Sequence, residues 1–183
     1  MQVRNTMGAW GSPAKALHWC LATLILALMV LGWTAASWPL SRTKIELFYW
    51  HKSLGMLVLG LALVRILWRL ANVRPALPAA VPPLERRLAS GSHLLLYLLP
   101  VAMPMSGWVI NSAANFPFKV FGLWSLPALT PPSKPLQMLA ESAHLVLFWL
   151  LAGLLLIHVV AALRHHWSYR DDVLRRMLPE LRR

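Results

Sequence analysis

Four apolar runs, at about 16–38, 49–70, 91–112 and 142–164, leave this chain few folds to choose from. Each is long enough to supply the about 20 residues that an α-helix needs to cross the hydrocarbon core of a bilayer. No water reaches that core, so a spanning segment must satisfy its own N–H and C=O groups, as a helix does. The expected fold class is therefore all-α, an integral membrane four-helix bundle forming a single transmembrane domain over 1–183, with a cytoplasmic tail at 165–183. Composition agrees, since 58% of the residues are hydrophobic and only 13% are charged, unlike a soluble domain. The first run follows Arg4 and Lys15 and precedes a small-residue TAAS, but it is too long for the apolar core of a signal peptide and is kept as a span. Arg65 in the second run and Pro100 and Pro104 in the third leave the spans in place, with neighbouring helices compensating a proline kink.

The formal net charge of +12 is arranged by topology. Thirteen Lys and Arg fall on the N-terminus, the connection between the second and third spans, and the tail; five, Arg42, Lys44, Lys52, Lys119 and Lys134, fall on the other side. Cytoplasmic loops carry the excess of Lys and Arg, which places both termini in the cytoplasm. Basic residues flanking apolar runs, with no nucleic-acid-binding motif, point to membrane lipid as the partner and not to nucleic acid. The Pro75–Pro83 stretch is a stiff surface connection. The loop from Ala113 to Glu141 suits a short surface helix or a lid. Trp38, Trp50, Trp68, Trp124 and Trp167, near span ends, suit an interfacial belt. The single cysteine, Cys20, excludes an intramolecular disulfide and any CxxC or CxxCH site. It is expected to pack as a small buried thiol.

Direction gives each histidine a depth. His18 starts a span that leaves the cytoplasm and His158 ends one that returns to it, so both lie on the inner side. His51 and His144 start the two returning spans on the outer side. Each level thus holds two imidazoles from two different helices. His144 and His158 are fourteen residues apart; at 100° and 1.5 Å per residue they face within about 40° of one direction and stand about 21 Å apart in height. Polar residues bridging helices are the alternative for any one histidine; four that pair by level favour ligation.

Two imidazoles with no carboxylate or thiolate make a poor zinc site, which usually takes three or four protein ligands. Haem iron needs only two axial ligands, because the porphyrin supplies four nitrogens. The pattern therefore reads as two stacked bis-histidine haems, non-covalent and b-type in the absence of CxxCH. The same fourteen-residue step leads from His18 to Gly32 and from His51 to Arg65. Gly32 leaves room where the outer haem meets the first helix. Arg65 either pairs with a propionate of the inner haem or snorkels to the cytoplasmic boundary. Gly55 either clears space for a porphyrin or packs a helix.

The stretches SPAKALHW, WHKSLGMLVLGLALVRILWRL, HLLLYLLPVAMPMSGW and ESAHLVLFWLLAGLLLIHVVAALRHHW resemble the bacterial cytochrome b561 family, over about Ser12 to Pro179. The resemblance implies a four-helix inner-membrane dihaem protein with the ligand pairs His18 with His158 and His51 with His144, and quinone chemistry near the inner haem. It is related more distantly to the cytochrome b subunits of nickel-iron hydrogenase and formate dehydrogenase. One family member acts as a superoxide oxidase, so the resemblance implies electron transfer from periplasmic superoxide to ubiquinone. An outer flank where Arg42, Lys44, Lys52, Lys119 and Lys134 outnumber Glu46 and Glu141 would draw an anion there, would dock an acidic protein donor, or would reflect surface solvation alone.

Quinone candidates on the inner side are Lys15, His165, His166 and Trp167, which can bond a carbonyl or stack near the ring, or serve as an interfacial anchor. His93, read as lacking a counterpart at its level, is expected to be a hydrogen-bonded core residue, with a proton relay or a quinone contact as the alternative. The competing functions are an electron-transfer subunit fed by a partner protein, and a haem-free transporter or anchor whose histidines bridge helices.

Overall fold

The computed structural model describes residues 2–76 and 81–178. The middle of the Pro-rich connection, 77–80, and Arg182 and Arg183 of the charge count lie outside the described residues. Four long helices account for most of the chain: α1 (Ser12–Ser37), α2 (Arg42–Leu70), α3 (Pro83–Ala113) and α4 (Lys134–Arg164). All four are long and apolar enough to cross a membrane. Each begins before the apolar run that announced it, because local chemistry and not hydropathy sets a helix start. Proline occupies the first turn of α1, α3 and α4, where its missing N–H costs nothing. Ser41 and Ser133 cap α2 and α4 by accepting from the N–H of Lys44 and Leu136. α3 runs unbroken through Pro100 and Pro104.

The helices pack in chain order, α1 on α2, α2 on α3 and α3 on α4, whereas α4 scarcely meets α1 or α2. Leu21, Ile25, Leu28, Val58, Ala62, Leu99 and Leu151 form an apolar layer across the middle. Leu26, Val30, Val64, Leu98, Val146 and Leu156 project from the outside of the bundle, a surface suited to lipid and not to water. Cys20 is on that surface too. The expectation of a buried thiol fails because α1 turns that face away from its neighbours, and a thiol is apolar enough to meet acyl chains.

Both termini cover one end. The Trp19 indole donates to the Met177 carbonyl at 2.8 Å, the Asn5 amide to the Val73 carbonyl at 3.1 Å, and the Ala76 N–H to the Met7 carbonyl at 3.0 Å. After α4 ends at Arg164 the chain continues in a π-helical turn over His165–Tyr169, followed by a 3-10 turn over Arg175–Met177. At the other end the Ala113–Glu141 loop contains neither a separate surface helix nor a free lid. It folds into a hairpin of β1 (Lys119–Val120) and β2 (Trp124–Ser125). Phe121 and Gly122 turn it with φ of 50° and 72°. The fully buried Ser53 of α2 accepts the Phe121 N–H at 3.1 Å, so the hairpin is pinned onto the helix beside His51.

Candidate functional site

At the end opposite the termini, His51 of α2 and His144 of α4 face each other with ring centres 6.3 Å apart. At the end with the termini, His18 of α1 and His158 of α4 are 6.2 Å apart. The apolar layer separates the two levels. Both pairs join helices that hardly touch, so each spans a gap between α4 and the α1–α2 pair. In the outer half Trp33 of α1 lies against Phe148 and Trp149 of α4 at 6.1 and 5.9 Å, bulky contacts that hold the two helices apart.

The residues fit a bis-imidazole metal group. Two metal–nitrogen bonds of about 2 Å on opposite sides of one ion, with roughly 1 Å more from each nitrogen to its ring centre, set imidazole centres about 6 Å apart. That matches both observed separations. The His51 ring reaches the Leu28 backbone of α1, the kind of contact that orients an imidazole for ligation. The tautomer of His144 follows from its neighbour. Ser106 Oγ lies 2.7 Å from the Met103 carbonyl and 2.8 Å from His144 Nδ1. The hydroxyl has one proton, which goes to the carbonyl, an acceptor only. Its oxygen must then accept from His144 Nδ1–H, leaving Nε2 with the free lone pair that binds a metal.

Glycines shape the outer pair. A Cβ on Gly32 would sit 2.6 Å from His51 Cε1, and one on Gly107 3.6 Å from His144 Cε1. The His51 ring therefore lies directly against Gly32, where α1 packs on α2. Gly55 faces open space and lines a cleft with His51, Lys52, Trp108, Asn111 and His144. Lys52 is the cation closest to this site. Its ammonium donates to Asn111 Oδ1 at 2.8 Å and lies over the rings of Phe116 and Phe118 at 5.4 and 5.6 Å. Other members of the basic outer flank are occupied: Arg42 pairs with Glu46, and Lys44 caps α1 through the carbonyls of Ala36 and Trp38.

At the inner level Arg65 Nη2 lies 3.2 Å from His18 Nδ1. His93, read from sequence as having no counterpart at its level, stands with its ring centre 5.7 Å from that of His158. The reason is that α3 starts at Pro83, which carries His93 deeper than the start of its apolar run implied. Three imidazoles therefore share this level, but His93 and His158 come from helices packed directly on each other, whereas His18 and His158 face across the gap. Trp68, near the end of α2, is half-buried with its Nε1 lacking a partner.

Of the quinone candidates, Lys15 is one turn before His18 on α1. His165 Nδ1 is 2.6 Å from Asp171, which ties its ring to the tail. His166 lies beside Trp167, with ring centres 6.4 Å apart, and Trp167 is exposed. Sequence reasoning missed Ser106 and Asn111, whose roles depend on the register of α3 against α4 and α2. Trp68 lies three residues after Arg65 and shares its helix face.

Comparison with known proteins converges on the same architecture. The family model for prokaryotic cytochrome b561 matches residues 9–180. Cytochrome b561 homolog 2 of Escherichia coli (strain K12) is 32% identical over 183 residues, covering 97% of this chain and 95% of that protein. The probable superoxide oxidase CybB of Yersinia pestis is 29% identical over 170 residues, covering 91% and 93%. Cytochrome b561 homolog 1 of Escherichia coli (strain K12) is 27% identical over 169 residues, covering 89% and 93%.

Proposed function

The chain belongs to the prokaryotic cytochrome b561 family, and from that premise we propose that it oxidises superoxide at the outer face of the bacterial inner membrane and reduces ubiquinone at the inner one. Membrane electron transfer by a multi-pass haem b protein is what the family does. The finer reading has one observation at its centre: paired imidazoles at both ends of the bundle, with an apolar layer between them. His18 and His158 would hold one haem b, His51 and His144 the other, and Arg65 would pair with a propionate. When bound, these groups supply the one-electron chemistry that side chains lack.

The protein's own residues would set the rest. Asn111 fixes the Lys52 ammonium beside His51, where it attracts a small anion to the outer site. Ser106 orients His144. The thirteen-to-five asymmetry in Lys and Arg supports a periplasmic outer level and cytoplasmic termini. Lys15, His165, His166 and Trp167 would contact the quinone where it takes up protons. The overall reaction balances as two superoxide anions, one quinone and two protons giving two dioxygen and one quinol. The name of the Yersinia pestis relative supports superoxide as the donor.

In liposomes containing ubiquinone, superoxide generated outside should be consumed while quinol accumulates, in the two-to-one ratio above. Lys52→Gln should slow this by roughly tenfold, the low end of electrostatic steering, and flatten its salt dependence. Absence of quinol in the presence of superoxide would overturn the donor assignment. It would favour a protein donor instead, for which the exposed Phe116, Leu123 and Trp124 around the hairpin offer a docking surface.

Ser106→Ala gives a second expectation. Removing the hydroxyl that sets the His144 tautomer should weaken haem affinity at the outer level by about 10- to 100-fold, leaving the inner level unchanged. Haem transfer to an acceptor apoprotein, followed at both levels, measures this.

A further inference from the structure

The bundle end with the termini contains a cavity lined by Arg65, Trp68 and Arg69 of α2, Tyr97 of α3, and Asn5, Trp10, Ala14 and Met177. Two donors of its lining, Arg65 Nη1 and Trp68 Nε1, are buried without a partner. The guanidiniums of Arg65 and Arg69 lie over the Tyr97 ring at 5.4 and 4.5 Å, and Arg65 also hydrogen-bonds the Tyr97 side chain; a neutral phenol holds both side chains without neutralising either. Each of the described carboxylates is engaged elsewhere: Glu46 with Arg42, Glu85 with Arg164, Glu141 with Gln137, Asp171 with His165 and Asp172 with Arg176. Arg65 meets His18 and Tyr97 but no anion, and two orphaned donors on one wall, its Nη1 and the Trp68 Nε1, suit a single acceptor that is anionic.

His18 sharpens this. Arg65 can only donate, and its contact with His18 Nδ1 is a hydrogen bond only if that nitrogen accepts. A ligating imidazole binds metal through one nitrogen and carries its proton on the other. When His18 serves as an axial ligand, neither nitrogen is left to accept from Arg65, and the guanidinium must turn to another acceptor.

We infer that Arg65, Trp68 and Arg69 form an oxyanion-binding site at this end of the bundle, with the Trp68 N–H and the Arg65 guanidinium as its donors. The inference rests on the haem reading above for its preferred occupant, a propionate of the group held by His18 and His158; a lipid phosphate offers the same chemistry. The N-terminal segment and the tail cover the cavity, held by the Asn5 to Val73 and Trp19 to Met177 bonds. That cover favours an anion presented from inside the bundle over one arriving from water.

The test is Trp68→Phe, which keeps the ring and removes the N–H, with Arg69→Gln as a second variant in case the first fails to fold. In the full-length protein, redox titration should show the inner haem shifted to lower potential with haem content retained, because a less compensated propionate favours the oxidised, more positive state. The outer haem should not move. If both potentials hold but tightly bound phosphorus falls after delipidation, the oxyanion site stands with lipid phosphate as its occupant. Unchanged potentials and unchanged phosphorus in both variants would overturn it. Wild-type protein without haem would defeat the functional reading, and the phosphorus measurement would still decide this one.

Discussion

Replacing His144 by alanine should remove about half the haem from the purified protein, with a reduced-minus-oxidised spectrum that keeps a single b-type species. The arrangement at the outer level makes this effect large. On the proposed reading His144 would supply one of two axial bonds; its tautomer is set by Ser106, and its ring faces His51 across a gap that no other described imidazole reaches. His158→Ala should do the reverse and spare the outer haem, because the apolar layer of Leu21, Ile25, Leu28, Val58, Ala62, Leu99 and Leu151 isolates the two levels. The inner level allows a finer test. His18→Ala should release the inner haem, whereas His93→Ala should retain it, since His93 lies on the close-packed α3 side of His158 and not across the gap. Haem extraction counts the groups, and redox titration identifies which one is left. Full haem retention in His144→Ala or in His158→Ala would exclude the pairing.

A leucine at Gly32 should empty the outer level without replacing any ligand. The first carbon of any side chain there would lie 2.6 Å from His51 Cε1 and 3.0 Å from Nδ1, closer than packed atoms approach. Separating the helices to make room would loosen the packing of α1 on α2. The His51 ring must therefore swing away, at the roughly 1–3 kcal/mol that overpacking costs. Gly32→Ala should weaken outer haem binding and Gly32→Leu should abolish it, with the inner haem retained in both. Gly153 serves as the control, since a Cβ there meets nothing within 4 Å. Gly153→Ala should leave both haems in place and gain up to about 1 kcal/mol of helix stability. Haem stoichiometry and thermal unfolding of the three variants check the set.

The four spans and the depths of four histidines were legible in the chain because a membrane converts sequence position into height. Each apolar run must cross as a helix, and each crossing reverses direction, so the distance of a residue from a span end becomes its level. His18, His51, His144 and His158 were paired on that basis alone, and the structure brings the same pairs within 6.2 and 6.3 Å. Arg65 likewise falls at the inner level beside His18. Hydropathy marks a helix start poorly where the first turns are charged. His93 looked like the start of a span because the charged first turns of α3 are not apolar, although they are helical.

What the sequence by itself determined is the lengthwise coordinate: how many helices cross, in which order, and how high each histidine stands. The tertiary structure decided the rotation of each helix about its own axis and the partner it meets there. That rotation turns Cys20 outwards and Trp68 inwards, seats His51 in the space of Gly32, and brings Ser106 to His144. It also folds the outer loop onto Ser53 as a hairpin. The physical reason is that crossing a bilayer constrains a helix strongly along the membrane normal, whereas its azimuth is set by side-chain packing between helices. In this chain nearly every face is apolar, so that packing leaves almost no mark on the hydropathy pattern.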